Sequence, residues 1–331
     1  MNRREFLNGA TLATGAGLLG VRPSVAAGEP PPETKRIRIS RTESTCVAPE
    51  LVAEDLLRGE GFGEVEYVLH PTGTGFTPLA SGEFDLHMSA AGGVVRRIDG
   101  GDPVLVLAGV HVGCYELFGS ERIRSVRDLK GKTVAVPTLV SSHYAILATM
   151  LAHVGLDPRK DLVAVEMPIG KAGEQLATGK IDALMAFPPE PQELRAKGIG
   201  HVVVNTILDR PWSQYFCCML AANKEFVRRH PVATKRALRA ILKATTICAL
   251  EPERVARLVV DRSYAGRYDY ALQTLKDIPY ARWREYSPED TIRFYALRLH
   301  EAGVIKSSPQ KIIAQGTDWR FLNELKKELK G

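Results

Sequence analysis

Leu79-Ala80-Ser81-Gly82-Glu83-Phe84-Asp85-Leu86-His87-Met88 returns 97 positions later as Leu176-Ala177-Thr178-Gly179-Lys180-Ile181-Asp182-Ala183-Leu184-Met185, with Leu, Ala, Gly, Asp and Met coinciding. At the same ungapped offset Pro71 and Gly73 fall on Pro168 and Gly170, and Ser44 falls on Ser141. Ten of the fifty pairs from Ile39 to Met88 are identical, against about three by chance, which suggests one structural unit used twice. Each copy opens with a strand (36–40 and 133–137), passes a hydroxyl-rich turn and enters a helix ending near Gly59 or Gly155. A second strand (65–69 and 162–167), a Gly-containing loop, a short helix and a third strand from Phe84 or Ile181 complete it. The expectation is an α/β protein of two βαβαβ units, each a mostly parallel sheet flanked by helices, with ligand beyond the carboxyl ends of the strands.

Outward from the repeat, residues 103–112 read as a strongly apolar strand, and Ser125-Val126-Arg127-Asp128-Leu129-Lys130-Gly131-Lys132 as a short helix and turn opening the second unit. Two further strands, 200–206 and 215–222, follow that unit. The chain is expected to pass between lobes near 114–119 and back near 209–215, so that two lobes close about a hinge. Lobe 1 takes 36–116 and 214–331 with the C-terminal helices, and lobe 2 takes 117–213. Helices are expected at 224–229, 232–250, 251–262 and 288–302, with His230-Pro231 as a break and a Lys-rich helix at the end. Tyr264, Tyr268, Tyr270, Tyr280, Trp283 and Tyr286 are read as packing against the lobes, or else as a rim to the cleft. Ser44-Thr45 and Ser141-Ser142 stand just ahead of the first helix of each copy, where hydroxyls cap helices. The uncapped amides of the two helix starts would bind an anion or polar group if both face one cleft.

Composition excludes several classes. The 331 residues are 45% apolar and 25% charged, ordinary for a folded chain of two units and unlike collagen, disordered or disulfide-stapled sequences. No run reaches the roughly 18 apolar residues that cross a bilayer. The net charge of +6 is weak and dispersed, so nucleic acid is not an expected partner. Residues 1–27 read as an export signal: a basic start at Asn2-Arg3-Arg4-Glu5-Phe6-Leu7, a mild apolar run, then Val25-Ala26-Ala27. Its adjacent arginines resemble the twin-arginine type; an ordinary secretory leader carrying two arginines is the alternative. Residues 28–35, with three successive prolines, are a short extended linker. A soluble periplasmic protein is the expectation.

The segment Val126-Arg127-Asp128-Leu129-Lys130-Gly131-Lys132-Thr133-Val134-Ala135-Val136, with Ser141-Ser142-His143-Tyr144 and Gly155-Leu156-Asp157-Pro158, resembles the substrate-binding proteins of ABC importers for sulfonates, taurine, nitrate and thiamine-pyrimidine precursors. The paired Gly-x-(Phe/Ile)-Asp elements and the stretch from Asn223-Lys224-Glu225-Phe226 to His230-Pro231 fit as well, so the resemblance covers residues 36–250. It implies a two-lobed periplasmic binding fold of type II, a small-molecule ligand in the cleft, an inner-membrane ABC permease as partner, and a monomer. The family's pocket loops fall on Arg41-Thr42-Glu43-Ser44-Thr45, on Ser89-Ala90-Ala91 and on Thr138 through His143. Many relatives carry a Trp-Asp-Pro-like element where this chain has Phe187-Pro188-Pro189-Glu190-Pro191. The candidate binding residues are thus Thr42, Ser44, Thr45, Ser89, Ala90, Thr138, Ser141, Ser142, His143, Phe187, Pro188 and Glu190. Trp212 and Tyr215 are further candidates for an apolar wall.

Catalytic and cofactor motifs are missing. Ser141 has no Gly-x-Ser-x-Gly elbow, and Gly92-Gly93 and Gly100-Gly101 lack phosphate-loop spacing. Cys46, Cys114, Cys217, Cys218 and Cys248 form no CxxC pair and no His-bearing metal spacing. Phe216-Cys217-Cys218-Met219 partly resembles the longer cysteine run of the thiamine-pyrimidine synthases, but is read as a buried apolar strand. His143 is placed in a first helical turn, either binding ligand as a neutral ring or lying on the surface. His87 and His111 fall in strand patterns and are read as core or hinge residues. Glu190 would accept from an amino or ring NH group, or else sits in solvent in a Pro-fixed loop. A receptor for a small organic anion or heterocycle is the favoured reading. An exported enzyme or sensor-input protein on the same fold is the alternative.

Overall fold

Two parallel strands start the first sheet, β1 (Arg36–Arg41) and β2 (Glu64–Leu69), joined by a 3-10 turn (Thr45–Val47), α1 (Ala48–Leu51) and α2 (Glu54–Gly59). Next come α3 (Phe76–Ser81), β3 (Leu86–Ala90), α4 (Ala91–Asp99) and β4 (Val104–Val112). The chain then enters a second sheet through β5 (Glu116–Gly119), β6 (Thr133–Val136), α5 (Ser142–His153), β7 (Val163–Glu166), α6 (Ala172–Ala177), β8 (Ala183–Ala186), α7 (Glu190–Lys197) and β9 (His201–Asn205). It returns as β10 (Phe216–Asn223). Helices α8 (Lys224–Arg229), α9 (Pro231–Leu250), α10 (Pro252–Asp261), α11 (Tyr268–Asp277), α12 (Pro288–Glu301), α13 (Pro309–Gly316) and α14 (Arg320–Glu328) finish it. The computed structural model describes residues 29–70 and 76–329. The leader read over 1–27, with its export route, lies outside them, as do Pro71 and Gly73 of the repeat. Among the described residues no helix is long and apolar enough to cross a membrane.

The sheets share one plan, β2-β1-β3-β10-β4 and β7-β6-β8-β5-β9. In each, three strands of the repeat run parallel and a strand from a crossing segment inserts antiparallel beside the third. The repeated residues do the same work twice. Gly82 (φ 78°) and Gly179 (φ 70°) end the short helix in the left-handed region, where a side chain would be strained. The aspartates three residues on clamp the first strand: Asp85 accepts from Arg38 N at 2.8 Å, and Asp182 from Thr133 N at 3.0 Å. Asp85 also pairs with the Arg38 guanidinium at 2.6 Å.

One large core runs under the first sheet and takes in α5, α9 and α12, while a smaller one (Phe118, Leu176, Ile181, Leu184, Leu194) serves the outer face of the second. Tyr280 and Trp283 are fully buried, as packing residues. Two expectations need correction. The single first helix of the first copy is instead a 3-10 turn and two short helices; Pro49, whose ring collides with the carbonyl four residues back, forbids a continuous start at Thr45. Ser44 makes no side-chain cap, because its hydroxyl points elsewhere.

Candidate functional site: the cavity between the helix starts

The crossing out of the first sheet runs through Gly113, Cys114 and Tyr115, and the crossing back through 206–215. Thr206 ties them together: its buried Oγ1 accepts from Cys114 N at 3.1 Å and Tyr115 N at 3.0 Å, and donates to Tyr115 O at 2.8 Å. Beside this brace α4 of the first sheet and α5 of the second meet start to start. A methyl group on Gly93, in the first turn of α4, would lie 2.1 Å from Ser142 Oγ. The approach depends on position 93 having no side chain.

A cavity with about 30 Å³ of room opens at this junction, the space of one or two water molecules. Thr42, His70, His87, Ser89 and Ala90 wall it from the first sheet, with Val47, Met88 and Cys218 as its apolar floor. Tyr115, Ser142, His143 and Phe187 wall it from the other side. Among the described residues no Asp, Glu, Lys or Arg is in this wall. Polar recognition therefore falls to hydroxyls, imidazoles and the amides of α4, which has no side-chain cap, and α5.

His143 stands out within it. The ring is 2% exposed, stands edge-on to Tyr115 at 5.0 Å and to Phe187 at 5.7 Å, and neither nitrogen has a hydrogen-bond partner among the described residues. Burial alone drives its pKa down to about 3, so the ring is neutral and offers one N–H donor and one lone pair. Below the cavity His87 Nδ1 lies 2.8 Å from Ser40 Oγ, which in turn lies 3.4 Å from the buried Glu50 carboxyl. Burial holds His87 well below the usual histidine range and Glu50 well above the usual carboxyl range. Both are uncharged, so this chain is a neutral polar network and no ion pair.

Six of the twelve candidates, Thr42, Ser89, Ala90, Ser142, His143 and Phe187, are in the cavity wall. The others surround it. Ser44 Oγ donates to Pro188 O at 2.9 Å, a bond from one sheet's turn to the other's. Ser141 caps α5 by accepting from Tyr144 N at 3.3 Å and donates to Thr138 O at 2.6 Å, leaving Thr138 on the exposed rim. Thr45 faces an outer groove together with Pro189. Glu190 is buried and accepts from Gly170 N at 3.2 Å, so it clamps a loop behind the cavity. Trp212 packs on His153 and Tyr215 stacks on Phe294 at 4.1 Å, both away from the wall. Tyr115, His70, His87 and Cys218 were missed as wall residues. His87 and Cys218 lie in strands buried along nearly their whole length, where a wall residue looks like core, and His70 and Tyr115 lie in the segments just after β2 and just before β5.

Burial pushes the Glu190 carboxyl up to about 7, against the opposing pull of the Gly170 amide. A folded pKa above the unfolded value near 4.5 means stability fully present below pH 4.5 and lost as pH rises through 7. Glu190→Gln keeps an acceptor for Gly170 and cannot ionise. It is expected to be about 2–3 kcal/mol more stable than the parent at pH 8 and equal to it at pH 4.5, as read by urea denaturation; equal stability at pH 8 would contradict the burial of the charge.

Comparison with known proteins places this geometry. A protein of Brachyspira hyodysenteriae, provisionally named an ABC transporter periplasmic binding protein, is 31% identical over 121 residues, 36% of this chain and 33% of that protein. The chain thus spans about a third of the length of this curated relative. The periplasmic nitrate-binding protein NrtA from Synechocystis PCC 6803 superposes with a TM-score of 0.73 at 15% identity, over 91% of this chain and 90% of that one. The alkanesulfonate-binding protein SsuA from Xanthomonas axonopodis pv. citri, bound to MOPS, gives 0.69 at 18% identity, over 88% and 100%. The likeness is of fold, and the fold is the type II periplasmic binding protein fold. Residues 116–281, half of the sequence and the stretch that holds both crossings' inner ends, α5 and His143, match the NMT1-like family model, and the chain belongs to the NMT1-like family.

Proposed function

We propose that the protein is the periplasmic solute-binding component of an ABC importer, which captures a small organic anion or heterocycle between its two lobes and presents the closed form to an inner-membrane permease. The observation that carries the reading is His143, buried at the meeting of two helix starts with both ring nitrogens unpartnered among the described residues. A buried polar group without partners costs about 1–3 kcal/mol, a cost that a ligand able to accept and donate would offset. The uncharged wall suits a carboxylate, sulfonate or pyrimidine-like solute taken up with the lobes further apart than in this structure, where the cavity has room for one or two waters; its polar edge would meet the helix-start amides and its apolar body Tyr115, Phe187 and Met88. Export through the leader, a monomeric state and the permease partner belong to the same reading.

Mass spectrometry of small molecules released from the purified protein identifies the ligand class. A matching compound is expected to stabilise the protein by about 2.7 kcal/mol at a hundredfold excess over its Kd. No thermal shift across carboxylates, sulfonates, nitrate and pyrimidines would count against a transport receptor. A second reading, an exported enzyme or sensor-input protein on the same fold, draws on the His87–Ser40–Glu50 chain; chemical turnover of the released compound would favour it.

A further inference from the structure

Beneath the cavity floor, four side chains far apart in sequence converge. Cys46 comes from the 3-10 turn after β1, His111 from the end of β4, Cys114 from the outgoing crossing and Cys218 from β10, and one ligand atom of each lies within 4.8 Å of all the others. All four are buried, at 0 to 3% exposure. Cys114 Sγ and Cys218 Sγ are 3.9 Å apart, close to the edge of about 3.8 Å that a tetrahedron with metal–sulfur bonds of about 2.3 Å requires. The imidazole is prepared as a ligand. His111 Nδ1 lies 2.9 Å from Gly113 O and 3.2 Å from Val112 O, so the proton belongs on Nδ1, and Nε2 has no partner among the described residues. Backbone carbonyls that fix the tautomer in this way are the usual outer support of a metal-binding histidine.

The strand also bends to suit. The β10–β4 register shifts on both sides of Cys218, and such irregularities re-aim side chains. Adjacent residues of a regular strand face opposite ways, yet Cys217 and Cys218 both reach Cys114, Cys217 Sγ at 3.1 Å.

We propose that Cys46, His111, Cys114 and Cys218 form a closed tetrahedral site for one Zn2+ ion. The ligand set is three thiolates and one imidazole, a set typical of structural zinc; the Cys217 thiol, outside it, donates to the Cys114 sulfur. Binding releases about three protons per metal, one from each thiol. The ion would pin β1's turn, β4, the crossing and β10 at one point under the ligand cavity. The site does not depend on the transport reading.

The test uses the full-length reduced protein and titrates it with Co2+ and then Zn2+. The expected result is one Co2+ per chain, with thiolate-to-cobalt absorption and the intense visible bands of tetrahedral cobalt, both erased by one equivalent of Zn2+. Cys46→Ser, Cys218→Ser and His111→Ala should each weaken metal binding by more than about a hundredfold, beyond what loss of an outer partner alone costs. Cys217→Ser and Cys248→Ser should keep the spectrum. If a ligand variant fails to fold, the native protein still decides: absence of the cobalt spectrum under reducing conditions overturns the proposal. So does an unchanged spectrum in Cys46→Ser or His111→Ala, and so does a Cys114–Cys217 disulfide that resists reductant in the folded protein.

Discussion

Replacing His143 with leucine should make the protein more stable and, on the binding role proposed above, weaken its hold on a ligand. At pH 7 the neutral ring carries two polar nitrogens in a buried cavity without partners among the described residues. An apolar side chain of similar size removes that cost, for an expected gain of about 1–2 kcal/mol. The gain grows in acid. The folded pKa of about 3 lies below the unfolded value near 6.5, so the unfolded chain binds more protons between these limits. Stability is then fully present above pH 6.5 and falls as pH drops toward 3. At pH 5 the parent has lost about 2 kcal/mol through this one group, and His143→Leu should not show that loss. The groups around the ring, Tyr115 and Phe187, are uncharged there and do not mask the effect. Affinity for the co-purified compound should fall at least about tenfold, the equivalent of 1.4 kcal/mol. Urea denaturation at pH 5 and 7 with calorimetric titration tests both halves; a variant less stable at both pH values would remove His143 from the list of functional strains.

Gly93→Ala should act as a wedge. The new methyl group would stand 2.1 Å from Ser142 Oγ, 3.2 Å from Ser142 Cβ and 3.4 Å from the Phe76 ring. The helix starts of α4 and α5 must separate or the Ser142 side chain must leave the cavity wall. Overpacking of this kind costs about 1–3 kcal/mol, and ligand affinity should drop by about a hundredfold because the amide-rich ends no longer converge. The second-site change Ser142→Ala removes the nearest atom. In the Gly93→Ala/Ser142→Ala double variant at least half of the lost stability should return, a coupling within the range seen for touching residues. Small-angle scattering would report the single variant as more extended than the parent. Additive stability losses and an unchanged scattering curve would show that the two starts do not touch in solution.

The repeat made the architecture legible because its residues are local and structural. A glycine that ends a helix and an aspartate that clamps a strand three residues later act within one lobe, and their spacing survives in the sequence. The candidate site was half legible for the same reason. Ser142 and His143 follow directly from a helix start, whereas the Ser44–Pro188 bond joins residues 144 positions apart, and nothing local at Ser44 predicts it. The Pro-rich loop leaves Glu190 either a cleft carboxylate or a solvent-exposed acid; the loop folds back so that the carboxyl is buried and accepts from Gly170 N. Tyr115 lies between strands in the crossing and Cys218 in a strand buried at every position, so neither carries a local mark of a wall residue. The Cys46, His111, Cys114 and Cys218 set has no motif spacing at all; antiparallel insertion of β10 between β3 and β4 brings its members together.

Thr206 has a mechanical consequence. Because one hydroxyl holds both backbone amides and a carbonyl of the outgoing segment, the two linkers cannot flex separately without breaking three buried bonds. Under the proposed binding cycle they would turn as one axle: opening would run as a rotation about a line through positions 114, 115 and 206, and shearing or splaying of the halves would break the brace.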